Sequence, residues 1–134
     1  MQPICQCHSF EFIPIDEQPQ DFVAELGPDE HAKLIAACES AAAGFADRRP
    51  HGSRTALIAS ATLPGLFELR IVWPGAPEPQ LRLICMRDGS RILVARGFVQ
   101  EGPGVPSSEV ELAEQSILRS RRGSDELQAE GTDG

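Results

Sequence analysis

Apolar and polar positions change period several times along the chain, and each change predicts an element. In SFEFIPI, Phe10 and Phe12 alternate with polar neighbours, which predicts a short strand closed by Pro14. From Pro19 to Leu26, the residues Phe22, Val23 and Leu26 fall on one helical face, with Gly27 as the stop. A second helix opens on Pro28, Asp29 and Glu30, where a first turn favours proline and negative charge. Leu34, Ile35, Cys38, Ala42 and Phe45 then recur at three- and four-residue steps, and this helix is expected to end near Gly44.

The segment ADRRPHGSRT reads as loop, and Leu63-Pro64-Gly65 as a turn that leads into the strand LFELRIVW, residues 66–73. Beyond the Pro/Gly-rich PGAPEP, QLRLICMR and SRILVARGFV read as two further strands joined by a tight turn at Asp88-Gly89. Three consecutive strands predict an antiparallel meander. Ser108 and Glu111 have the spacing of a capping box, which would open the helix EVELAEQSILRSR. The order strand, helix, helix, three strands, helix predicts an α+β fold with its helices on one face of the sheet. We expect one domain over residues 1–122, with 1–8 a frayed N-terminus, and a disordered acidic tail over 123–134.

Composition narrows this picture. A chain of 134 residues can bury a core without staples. Apolar runs such as Ala41–Ala43 and Ile92–Ala95 fall far short of a bilayer span, and MQPICQCHSFEF lacks the basic and apolar regions of a secretory signal. The expected location is therefore the cytoplasm, with no membrane partner. Of the four cysteines, Cys38 and Cys85 lie in apolar periodic segments where thiols behave as small hydrophobes. Cys5-Gln6-Cys7-His8 offers three zinc-ligating types, but the thiols are one residue too close for the usual knuckle and no second half exists, so neither metal nor cofactor is expected.

The net charge of −8 argues against nucleic acid as a partner, yet it is unevenly spread. Residues 1–47 hold nine acids and one base, residues 48–100 eight arginines and three acids, and residues 101–134 eight acids and three arginines. An arginine-bearing centre between acidic flanks is a pattern that can mark an anion site.

Three stretches carry a resemblance. GLFELRI, LRLICMRDGSRILVARGFVQ and the proline-led PSSEVELAEQ together resemble the RelE/ParE toxin superfamily, nearest its HigB-like, phage-derived branch. The likeness covers roughly residues 63–120. It implies a RelE-like fold: an N-terminal strand and two helices, a three-stranded antiparallel meander and a C-terminal helix. It also implies the toxin of a type II toxin–antitoxin pair, a metal-free endoribonuclease that cuts mRNA, often on the ribosome. Such toxins are held by a cognate antitoxin, typically a helix-turn-helix protein.

Matched residue by residue, Arg70 ends the Glu-Leu-Arg strand motif, Arg82 takes the arginine position of the next strand, and Arg96 stands where the branch commonly has histidine. The resemblance makes these three the catalytic candidates. Metal-free cleavage must stabilise a doubly negative phosphorane, and the planar guanidinium grips phosphate oxygens while keeping its charge. Arg54, Arg87 and Arg91 are candidates for flanking phosphates, and His51 for general acid–base work. The chain departs from the family's pattern in having no tyrosine, a single lysine at Lys33, and Gln100-Glu101-Gly102-Pro103-Gly104-Val105 where lysines and a threonine are usual. Those departures motivate an alternative, a RelE-fold binding or regulatory protein that has lost nuclease activity. The ordinary reading of the arginines is that they are solvated, or partners for the acidic helices.

Overall fold

The computed structural model describes residues 2–46, 55–60, 62–71, 81–100 and 105–132, with side chains described as far as residue 122. In chain order the elements are β1 (Cys5–Cys7), β2 (Phe10–Pro14), α1 (Glu17–Ala24), α2 (Pro28–Ala46), β3 (Thr55–Leu57), β4 (Leu66–Ile71), β5 (Leu81–Asp88), β6 (Arg91–Val99) and α3 (Ser107–Thr132). The strands form one six-stranded sheet in the order β1-β2-β6-β5-β4-β3.

The α+β class agrees with the sequence reading, and β4, β5 and β6 do form an antiparallel meander. The sheet as a whole corrects it. The meander is the middle of a mixed sheet, because β2 runs parallel to β6, from Glu11 opposite Arg91 to Pro14 opposite Val94. Residues 5–7, expected to be frayed, fold back on β2 through His8-Ser9 as an antiparallel edge strand, and β3 forms the other edge beside β4. Both edges are three residues long, too short for a two-residue alternation to announce itself.

The expectation of helices on one face is also corrected. On one side, Leu34, Cys38, Ala42 and Phe45 of α2 pack with Phe67, Leu69, Leu83, Cys85 and Val94, and Phe22 and Val23 of α1 complete the layer. On the other side, Ala113 and Ile117 of α3 cover Leu66, Ile84, Ala95 and Phe98. The cause lies in the central strand, where Leu81 to Met86 are all buried. A strand apolar on both faces must be covered twice, and each buried Leu or Ile is worth roughly 1.5–3 kcal/mol over its exposed state.

Turns follow local chemistry. Leu66 N donates to Leu63 O at 3.3 Å, with Pro64 and Gly65 between them. Gly65 has φ 97°, the left-handed value that the third position of a type II turn requires. The last helix begins at Ser107, so Ser108 lies inside its first turn, and it continues to Thr132 through the stretch expected to be a disordered tail. Leu127, Gln128, Ala129 and Glu130 there are good helix formers. Gly44, expected as a helix end, lies within α2. Among the described residues, no helix is long and apolar enough to cross a membrane.

Candidate functional site

Directly paired residues in a sheet share a face, so the register decides where the candidate arginines point. Arg70 pairs with Arg82, Glu68 with Ile84, and Ile84 with Arg96. Ile84 belongs to the layer beneath α3. Arg70, Arg82 and Arg96, from three different strands, therefore share the face that α3 covers.

Arg96 reaches that face through an irregularity. Ile84 pairs with Arg96, but the next residue, Cys85, pairs with Val94, which leaves Ala95 as the extra residue of a β-bulge. Simple alternation from Ile92 and Val94 would have put Arg96 on the opposite face, with α2. The bulge re-aims it, as bulges commonly do beside functional sites.

Each arginine holds a carboxylate. Arg70 Nε donates to Glu68 Oε1, and Arg82 Nη1 lies 3.6 Å from Glu68 Oε2. The side chains of Glu68 and Arg82 are each 3% exposed, whereas that of Arg70 is 38% exposed. Arg96 grips Glu109, in the first turn of α3, with Nε and Nη2 donating to the two carboxylate oxygens at 2.8 and 3.3 Å. A negative residue near a helix N-terminus also complements the helix dipole. A two-point arginine–carboxylate fork is the strong form of an ion pair.

Beside this layer lies a groove of about 500 Å³ between β3 and α3. Ala56, Leu57 and Ile58 form one wall, Val110, Glu111 and Glu114 the other, and Glu68 and Arg70 the floor. Leu57 is 64% exposed. Glu114 accepts from Ser60 Oγ at 3.0 Å, and Ser60 Oγ accepts from Leu63 N at 2.9 Å, which ties the segment after β3 to α3. Apart from Glu68, which two arginines compensate, the lining is apolar at Ala56, Leu57, Ile58 and Val110 and acidic at Glu111 and Glu114.

Arg87 and Arg91 stand apart from this trio. Arg87 pairs with Ile92, on the α2 side, and its guanidinium sits 4.8 Å from the Phe10 ring centre and 5.6 Å from that of Phe45. Such cation–π contacts give it a structural task of about 0.5–1 kcal/mol each. Arg91 pairs with Asp88 at 3.0 Å at the exposed β5–β6 turn. Arg54 and His51 lie outside the described residues.

Sequence reasoning did not single out Glu68, Glu109 or Glu114, and marked Glu111 only as part of a helix cap. Glu68 left a signal: it interrupts the apolar run of β4 two residues before Arg70, hence on the same face. Nor did it find Gln18 of α1, which accepts from Gly97 N at 2.9 Å and donates to Gly97 O at 2.6 Å. That amide occupies the edge of β6 beyond the end of β2, in the manner of a neighbouring strand's peptide. No protein-family model matches the chain, and no curated protein matches it.

Proposed function

We propose that this chain is a RelE/HigB-like member of a toxin–antitoxin pair that works by binding a protein partner rather than by cutting RNA. The observation that carries this reading is the carboxylate on each candidate arginine: Glu68 on Arg70 and Arg82, Glu109 on Arg96. Phosphate would have to displace carboxylates already in place, and the Glu68–Arg82 pair is closed to solvent, each side chain being 3% exposed. The β3–α3 groove supports the same reading. Its apolar residues and its two acids, Glu111 and Glu114, fit a partner segment that combines aliphatic side chains with lysine or arginine. The partner is the antitoxin, a helix-turn-helix protein encoded beside this chain.

A second reading, the mRNA endoribonuclease, is favoured by the convergence of Arg70, Arg82 and Arg96 on one face. The two readings part in one experiment. The purified full chain is assayed for cleavage of translated mRNA and for complex formation with the product of the neighbouring gene. Binding alone predicts no cleavage above background, an unchanged complex with Arg70→Ala, and a complex weakened by at least about tenfold (about 1.4 kcal/mol) with Glu111→Lys plus Glu114→Lys. Cleavage by the wild type that Arg70→Ala abolishes would establish the nuclease and overturn the first reading.

A further inference from the structure

We propose that Cys5 and Cys7 form a thiol–disulfide exchange site for low-molecular-weight disulfides, in which Cys5 attacks and Cys7 resolves. The two residues occupy alternate positions of β1 and so project to the same face. Their sulfurs lie 2.8 Å apart, against about 2.05 Å in a formed disulfide. Two steps along a strand separate their Cα atoms by about 6.6 Å, inside the ~4.4–6.8 Å that a disulfide tolerates. The strand that must adjust is an edge of three residues, paired among the described strands with β2 alone.

The two thiols differ as the roles require. Cys5 is half-buried and Cys7 buried, so an incoming disulfide meets Cys5. A hydrogen bond from Cys38 of α2, aided by one from Cys7, pulls the Cys5 thiol down to about 7, against burial and the negative charge of Glu39. Much of it is then thiolate at neutral pH, the form that reacts. Burial first, and then the Cys5 contact, push Cys7 up to about 12. Cys7 therefore reacts only once a mixed disulfide is held beside it. Cys38, fully buried in the α2 layer, is a positioning residue. Among the described residues, no group of three or more His, Cys, Asp or Glu is arranged to hold a metal ion.

The exchange balances without a further reagent. The Cys5 thiolate attacks one sulfur of the small disulfide, whose S–S bond breaks as the new one forms, and the departing half takes a proton from water. The Cys7 sulfur, its proton passing to solvent, then attacks the Cys5 sulfur and expels the second half, which leaves as a thiol. Two protein thiols are oxidised to one disulfide, and one small disulfide is reduced to two thiols.

The test uses the reduced full chain with oxidised glutathione, acid quenching, intact mass measurement and peptide mapping, with circular dichroism confirming the fold of each variant. Wild type is expected to end with a Cys5–Cys7 bridge and no retained glutathione. Cys7→Ser should stop at a stable adduct on Cys5, Cys5→Ser should react at least tenfold more slowly, and Cys38→Ser should still form the Cys5–Cys7 bridge. A wild-type bridge mapped to Cys38, an unresolved adduct on the wild type, or full reactivity in Cys5→Ser overturns the proposal. If Cys7→Ser does not fold, the wild-type and Cys38→Ser maps decide alone.

Discussion

At Glu68 a single buried carboxylate stands between two guanidinium groups, Arg70 on its own strand and Arg82 on the next. Taking such charges out of water is costly, and removing one partner strands the other. Glu68→Gln keeps the shape and deletes the charge, so urea unfolding should show a loss of about 3–5 kcal/mol. Arg70→Ala should cost no more than about 1 kcal/mol, because its side chain is more than one-third exposed and the solvent screens its pair. If Glu68→Gln proves neutral, the buried pair does not organise this face. Arg70, Arg82 and Arg96 were marked in the sequence by the resemblance. Their carboxylate partners were not, since Glu68 and Arg82 are 14 positions apart in the chain and meet only through strand pairing.

Helix α1 docks on β6 through two residues that act together. Gln18 satisfies both backbone groups of Gly97, and the Phe22 ring lies over the same glycine. A Cβ at position 97 would sit 2.3 Å from a Phe22 ring carbon, closer than any real contact allows. Gly97→Ala must therefore push the ring and the helix away, at a cost of about 1–3 kcal/mol. A double-mutant cycle checks the cause. Phe22→Leu together with Gly97→Ala should be less destabilising than the two single losses added, and additive losses would mean that the ring is not the obstacle. The helices and the longer strands were legible from their periods, β4, β5 and β6 almost to the residue. The strands β1 and β3 were not, because pairing with a neighbour, rather than any pattern of their own, makes three residues into a strand.

Across the whole molecule, the alkaline limit of stability should be set by thiols. The chain has no tyrosine and one lysine, so few other groups titrate there. Burial pushes the Cys85 thiol upward, the Cys5 contact and then burial raise Cys38, and burial and then the Cys5 contact raise Cys7 from the ordinary 9.0. An unfolded chain loses these protons near pH 9 while the folded one retains them, so above that pH the unfolded state binds fewer protons. Stability is therefore fully present below about pH 9 and falls as the pH rises toward 12, by up to about 1.4 kcal/mol per pH unit for each buried thiol. Cys5 acts in the opposite sense: its depressed value adds stability as the pH rises from about 7 to 9. Urea midpoints from pH 7 to 11 should rise slightly and then drop, and Cys85→Ala should make the drop shallower. A flat profile above pH 9 would mean that the buried thiols ionise as easily in the fold as out of it.

By itself the sequence determined the first two helices, the start of the third, the longer strands, the α+β class and the uneven charge, because those properties rest on local period, turn chemistry and composition. The run LRLICM even held the reason for a second covering layer, in a strand apolar on both faces. Only the tertiary structure decided that α3 supplies that layer, that β2 joins β6 in parallel, and that the bulge at Ala95 turns Arg96 toward Glu109. Each of those depends on register and pairing between distant segments, and one residue of slip moves a side chain to the opposite face. The arginines that the resemblance marked for phosphate thus came to lie on one face, each with a carboxylate already in hand.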